Sequence, residues 1–298
     1  MSERPVHVSV MPREVLHYLQ ISEGLTVVDG TVGAGGHSQL ILRQLGDTGT
    51  LIGFDRDAMM LRLATPLLRK PNVILVQSSY SLAREALAER NITSVDRVLL
   101  DLGLSSDQLA DRTRGFGFDA GGPLDMRFDT QLGQPAGELL NTADRSRLIQ
   151  IFREFGEEPF AERIADRIVT RRKQGGLQTA QQLEECIRAA VPDAAIAKSS
   201  RNPATRVFQA LRIAVNQELQ HLQHMMTDVL PQIMTPGGIV VVLAFHSLED
   251  RIVKSAFKGH QGWQVLTKTP VEATPAEIRL NPRSRSARLR AARWKPAA

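Results

Sequence analysis

Leu25-Thr26-Val27-Val28-Asp29-Gly30-Thr31-Val32-Gly33-Ala34-Gly35-Gly36-His37 decides the fold. Residues 25–29 form a short apolar run closed by a carboxylate, which reads as a β-strand. A glycine-rich loop follows at once. Residues 37–45 then show helical spacing, with Leu40, Ile41 and Leu45 on one side and Gly46 as the stop. Gly33, Gly35 and Gly36 let backbone N–H groups approach a ligand and supply positive φ where a turn needs it. The N-terminus of the next helix favours an anionic group. A glycine loop alone is a weak signal, since a tight turn has the same composition. Its place between a strand and a helix strengthens it.

The same alternation continues outward. Residues 50–54 read as a second strand closed by Asp55, and Asp57 is placed to cap a helix carrying Met60, Leu61 and Leu67. Residues 73–76 read as a third strand, 81–89 as a helix, and 95–100 as a fourth strand ending at Asp101. Strands alternating with helices imply βαβ units and a mostly parallel sheet with right-handed crossovers. The alternation then stops. The next buried strand is residues 239–244, entered through Pro236-Gly237-Gly238, over a hundred residues beyond Leu100. Residues 206–234 read as the crossover, and residues 145–155, 160–173 and 179–190 as helices of an insertion. The expected architecture is α/β: a Rossmann-like core from residues 1–109 and 206–298, with an inserted helical domain at 110–205 for substrate recognition. Residues 263–268 and 287–294 would be the last strands.

Composition agrees with a folded protein. The 298 residues are 42% hydrophobic and 23% charged, which excludes a disordered or fibrous chain. A formal net charge of +5 favours an anionic partner without requiring one. Cys186 is the single cysteine, so no intrachain disulfide forms and no cysteine-based zinc site is expected. The first 25 residues carry Glu3, Arg4, Arg13, Glu14 and Glu23 and no signal-peptide core. The longest apolar run, residues 238–245, is too short to span a bilayer. A soluble, cytoplasmic protein is expected, with no metal and no membrane partner; the oligomeric state has no signal.

Charge distinguishes between cofactors. Ligands of open α/β sheets sit at the carboxyl ends of the strands, and Asp55 is placed to take both hydroxyls of a ribose. Asp29 and Asp101 flank the loop. Two carboxylates repel the pyrophosphate of NAD but suit the sulfonium and ammonium of S-adenosylmethionine, whose one carboxylate can use the helix N-terminus. No Gly-Lys-Ser or Gly-Lys-Thr occurs, which excludes a P-loop.

Several blocks then carry a resemblance. They are Asp29-Gly30-Thr31-Val32-Gly33-Ala34-Gly35-Gly36-His37-Ser38, Asp101-Leu102-Gly103-Leu104-Ser105-Ser106 and Arg114-Gly115-Phe116-Gly117-Phe118. Gly122-Pro123-Leu124-Asp125-Met126-Arg127, residues 203–213, Phe245-His246-Ser247-Leu248-Glu249-Asp250-Arg251 and Asn281-Pro282-Arg283-Ser284-Arg285-Ser286 complete the set. In this order, from near residue 7 to near residue 294, they resemble the bacterial 16S ribosomal RNA cytosine-N(4) methyltransferase family (RsmH, formerly MraW). The resemblance implies a class I methyltransferase core that methylates the exocyclic amine of a cytosine in the decoding region of the small ribosomal subunit. It also implies that Gly35, Gly36, His37, Asp55, Asp101 and Gln108 contact the cofactor. Tyr80 stands where the family often has Phe and keeps an aromatic face for adenine.

The chemistry asks for a proton acceptor, because the cytosine amine is a poor nucleophile. Asp101, Ser105, Ser106 and His246 are the candidates, His246 being read as the end of the fifth strand. The usual acidic-or-Asn-Pro-Pro-aromatic signature of amino-methyltransferases is missing after the fourth strand. A stacking ring would come from Phe116, Phe118 or Phe245, each of which can equally be core. His221 and His224 share a helical spacing but lack a third ligand. Arg279, Arg283, Arg285, Arg288, Arg290, Arg293 and Lys295 form an acid-free run that could hold phosphates or simply be solvated. Arg163, Arg167, Arg171, Arg172 and Lys173 recur in the insert, where Glu162 and Asp166 could neutralise them. Two other functions stay open: an NAD-dependent dehydrogenase and a non-catalytic RNA-binding assembly factor.

Overall fold

Continuous apolar runs, whose residues turn alternately to the two faces, build the sheet of the computed structural model, which describes residues 9–118, 121–199 and 202–296. Residues 1–8, part of the stretch read for a leader, lie outside these, as do 119–120, 200–201 and 297–298. The strands are β1 Thr26–Asp29, β2 Thr50–Asp55, β3 Val73–Gln77, β4 Val95–Asp101, β5 Met234–Ala244, β6 Trp263–Val265, β7 Val271–Glu272 and β8 Arg288–Trp294. They form one sheet in the order β3-β2-β1-β4-β5-β8-β6, with β7 also on β8. The pairs among β1 to β5 are parallel, and β8 runs antiparallel to its neighbours.

Contacts divide the chain into two compact units, one of residues 1–105 and 219–298, the other of residues 106–218. In the first unit, Val27, Leu51, Leu99, Val241 and Leu243 face one side of the sheet, under the helices Pro12–Leu19 and Gly36–Leu45. Val28, Ile52, Val98, Leu100, Val240 and Val242 face the other, under Ala83–Ala88, Ser247–Gly259 and the π-helical turn Met225–Val229. Period-two alternation with both faces covered is what a central parallel sheet requires. Each buried Val, Leu or Ile contributes roughly 1.5–3 kcal/mol, so the strand ends form a rigid platform.

The second unit is helical. Its principal helices are Ala136–Thr142, Arg145–Gly156, Ala161–Arg172, Ala180–Arg188 and Thr205–Asn216. The last of these was read from sequence as part of the crossover in the core. Instead it packs on Arg145–Gly156, so closely that a Cβ on Gly156 would lie 2.6 Å from the Arg206 carbonyl oxygen. Its buried Val207, Phe208, Leu211 and Ile213 explain the difference. An apolar helical face reads the same in sequence whichever unit covers it. Asn216 then clips the loop before the helices: its amide donates to Met126 O at 2.7 Å and its Oδ1 accepts from Phe128 N at 2.7 Å.

Smaller departures have local causes. Pro236-Gly237-Gly238 lies within β5 as a bulge, with the register jumping from Val95–Met234 to Arg97–Ile239. The helix read at residues 81–89 starts as a 3₁₀ turn, Tyr80–Leu82, capped by Ser79. Among the described residues, no helix is long and apolar enough to cross a membrane.

Candidate functional site

The glycine loop lies at the carboxyl end of the parallel strands and is fastened to three of them. Gly33 and Gly35 have φ of 54° and 90°, a left-handed backbone that disfavours any side chain. Gly33 N donates to Asp55 Oδ2 at 2.8 Å, tying the loop to β2. Thr31 Oγ1 accepts from Asp101 N at 2.6 Å, tying it to β4. Asp29, at the end of β1, accepts from Thr31 N at 3.1 Å and from the Ser38 hydroxyl at 2.6 Å.

Asp29 is therefore a correction to the sequence reading, which placed it against the cofactor. It has no exposed surface, and its two oxygens hold the loop and the first turn of the next helix. Burial raises its pKa; the Ser38 hydroxyl and His37 work in the opposite direction. Thr31 and Ser38 were missed as positioning residues, because a side chain bonding a distant strand end leaves no spacing signal. Ser38→Ala removes a bond to a buried carboxylate and is expected to cost about 1.5 kcal/mol of stability, read from urea denaturation. An unchanged midpoint and slope would show that the bond contributes nothing.

Asp55 keeps part of its surface exposed. Its oxygens accept from Asp57 N and Gly33 N, each at 2.8 Å, which leaves a lone pair on each for a ligand. Desolvation by the surrounding protein, only partly offset by these two amides, raises its pKa to about 7.

Asp101 and His37 meet beside the loop. His37 Nε2 lies 3.5 Å from Asp101 Oδ2, an ion-pair contact rather than a good hydrogen bond. Burial opposes protonation of His37, but the carboxylates of Asp101 and Asp29 outweigh it and hold its pKa above the ordinary value. Asp101 Oδ1 is buried without a hydrogen-bond partner among the described residues, and the His37 ring nitrogens make no bond of good geometry, facing Asp101 and the Val10 backbone. Buried polar atoms are normally paired, at a cost of about 1–3 kcal/mol when they are not. The imidazole of His37 beside the loop fits a polar ligand such as the amino-acid end of S-adenosylmethionine, and Asp101 Oδ1 stays unpartnered next to it.

The remaining candidates divide. Tyr80 opens the 3₁₀ turn after β3 and packs at the end of β1, where a Cβ on Gly30 would lie 3.0 Å from its own Cβ. Ser105 donates to Met60 Sδ at 3.1 Å. Ser106 and Gln108 lie on the short helix Ser106–Ala110, which opens the second unit. His246 does not end β5; it caps the helix Ser247–Gly259. Its Nδ1 accepts from Glu249 N at 3.4 Å, and its Nε2 lies 3.1 Å from Glu249 Oε1. These contacts fix the ring at the start of the helix; Nε2 itself makes no hydrogen bond of good geometry among the described residues. Phe116 and Phe118 pack on Phe128 and Phe208 within the second unit. Phe245 is half-buried against the Asp101-Leu102-Gly103-Leu104 turn, its ring 3.5 Å from where a Gly103 Cβ would stand.

His221 and His224 turn to different partners, Ser81 Oγ at 2.8 Å and Asp228 Oδ2 at 3.2 Å. Much of the basic run near the C-terminus is structural. Arg283 donates to the Leu104 carbonyl, Arg290 forms a buried two-bond pair with Asp250 at 2.6 and 3.1 Å, and Arg293 donates to Gln20.

A mostly parallel sheet closed by an antiparallel β8, with carboxylates ending β1, β2 and β4 around a glycine loop, defines a Rossmann-like class I methyltransferase core. The chain belongs to the MraW methylase family, which matches residues 4–295. A ribosomal RNA small subunit methyltransferase H of Geotalea uraniireducens (strain Rf4) is 44% identical over 306 residues, covering 96% of this chain and 97% of that protein. Its namesake in Rhodopirellula baltica (strain DSM 10527 / NCIMB 13988 / SH1) is 43% identical over 304 residues, covering 96% and 91%. Among solved structures, an rRNA methylase from Streptococcus thermophilus covers 99% of each chain at a TM-score of 0.42 and 10% identity, too distant to argue from.

Proposed function

We propose that this chain uses S-adenosylmethionine to methylate the exocyclic N(4) amine of a cytosine in the decoding region of 16S ribosomal RNA, in the small ribosomal subunit. The observation that carries the proposal is a match along nearly the whole chain to proteins named ribosomal RNA small subunit methyltransferase H. The choice of cytosine N(4) rests on the motif blocks quoted above. Neither a dehydrogenase nor a non-catalytic assembly factor finds support among the relatives. A substrate in the ribosome makes the cytoplasm the site of action.

S-adenosylmethionine, when bound, supplies a methyl group on a cationic sulfur. Gly33, Gly35 and Gly36 would hold its amino-acid end beside His37 and Asp101, Asp55 its ribose hydroxyls, and Tyr80 its adenine. Asp101 Oδ1 is the free acceptor at the end of β4. A hydrogen bond from the target amine to this oxygen would draw the nitrogen lone pair out of conjugation and give the released proton a place to go. His37 sits 3.5 Å from the other oxygen and would orient the carboxylate. The loop bonds of Thr31 and Asp29 fix these groups, since positioning supplies most of the rate of an in-line transfer.

Asp55 makes cofactor affinity pH-dependent. Hydroxyls bond a carboxylate better than a carboxylic acid, and Asp55 ionises near pH 7. Affinity for S-adenosylhomocysteine, measured by calorimetry, is expected to rise about tenfold from pH 6 to pH 8. Asp55→Asn should flatten the curve. A wild-type profile that is already flat would contradict the assignment. The function itself is tested by mapping methylated cytosines in 16S RNA from cells with and without the protein. One N(4)-methylated site should disappear; an unchanged map would overturn the proposal.

A further inference from the structure

The sequence left the cations of the insert ambiguous, because Glu162 and Asp166 share their helix. The structure removes both acids from the account. Asp166 forms a two-bond pair with Arg145, at 2.5 and 3.1 Å, and Glu162 bonds Arg153 at 2.6 Å. Both partners belong to the neighbouring helix Arg145–Gly156. On the next helix, Ala180–Arg188, Glu184 is held by Arg188 at 2.7 Å. Arg163 and Arg167 are exposed, with no acid in reach among the described residues. Arg171 follows one further turn along the same stripe, half-buried, with a long contact of 3.4 Å to Gln174 O. Arg172, by contrast, is turned inward, and its Nε donates to Leu140 O at 2.6 Å.

The helix Ala161–Arg172 thus has three faces: Ile164, Ala165 and Ile168 buried, the acids paired sideways, and a stripe of Arg163, Arg167 and Arg171. Residues four apart on a helix rise about 6 Å, close to the interval between successive phosphates of an RNA strand. Arginine is the side chain best suited to phosphate, since its planar fork donates two parallel bonds. A stripe that served only solubility would gain from keeping its acids beside its bases.

We propose that Arg163, Arg167 and Arg171 form a phosphate-backbone contact for the RNA substrate, a surface that sets affinity without reading sequence. The proposal rests on the ribosomal RNA reading given above. Each arginine lost from a phosphate contact lowers the slope of log affinity against log salt by roughly 0.7–0.9.

The test uses the full chain, wild type and R163Q/R167Q, with protein-free 16S RNA and with small subunits across a salt series. Glutamine keeps helix propensity, and an unchanged calorimetric affinity for S-adenosylhomocysteine checks the fold. The variant is expected to lose about 1.4–1.8 from the slope on both ligands, so its deficit grows roughly 25- to 60-fold between 1 M and 0.1 M salt. Equal slopes, with the wild type still methylating subunits, would overturn the stripe and leave the function standing. A deficit on subunits with a wild-type slope on protein-free RNA would assign the stripe to a protein partner and also overturn it. A wild type that neither methylates subunits nor binds RNA in a salt-dependent way would remove the functional reading itself.

Discussion

Asp101→Asn is expected to lower turnover at saturating cofactor by roughly 10²-fold or more, within the range for groups that accept a proton. The substitution is nearly isosteric and spares the backbone, so Asp101 N still donates to Thr31 Oγ1. What changes is the side chain. Oδ1 is the buried, unpartnered acceptor, and Oδ2 faces His37 at 3.5 Å. The amide retains one oxygen but loses its charge and its proton affinity. If Asp101 only holds the cofactor, the dissociation constant rises and saturated turnover stays near wild type. Single-turnover methylation of small subunits, with cofactor saturation checked separately, separates the outcomes. A near-wild-type rate would eliminate Asp101 as the partner of the amine. Ser105, Ser106 and His246 would then be the remaining candidates.

Asp55→Ala is expected to weaken S-adenosylmethionine binding by about 1.5–3 kcal/mol, a factor of roughly 10–150 in dissociation constant. Two effects combine. The ligand loses an acceptor placed for two hydroxyls. The loop also loses its tie to β2, because Gly33 N no longer has Asp55 Oδ2 to bond. Asp55→Asn separates them, since the amide oxygen can still receive one of the two amides. Calorimetry on folded protein is the readout. Unchanged affinity in the alanine variant would remove Asp55 from the ribose site.

Much of the fold was legible because its signals are local. The apolar runs that end in Asp29, Asp55 and Asp101 are the strands β1, β2 and β4, closed at those residues. The break after Asp101 marked an insertion. What sequence could not show depends on partners far along the chain. Thr31 meets the Asp101 amide across 70 positions, and Arg283 reaches the Leu104 carbonyl across 179. Asp29 reads like Asp101, a carboxylate at a strand end; only Ser38 and the buried loop make one a brace and the other an open acceptor. His246 caps the following helix with Glu249 as its partner three residues on, a capping-box spacing that the reading of His246 as a strand end passed over. In the insert, helical spacing paired Glu162 and Asp166 with the arginines of their own helix, whereas Arg153 and Arg145 of the neighbouring helix hold them.

The most direct measurement is methyl transfer by the purified protein from labelled S-adenosylmethionine to small ribosomal subunits lacking the modification. The 16S RNA is then digested and its nucleosides identified by mass and retention. One N(4)-methylcytidine, from a single cytosine of the decoding region, is the predicted product. Absence of label, or label on another base or on a ring carbon, would contradict the account.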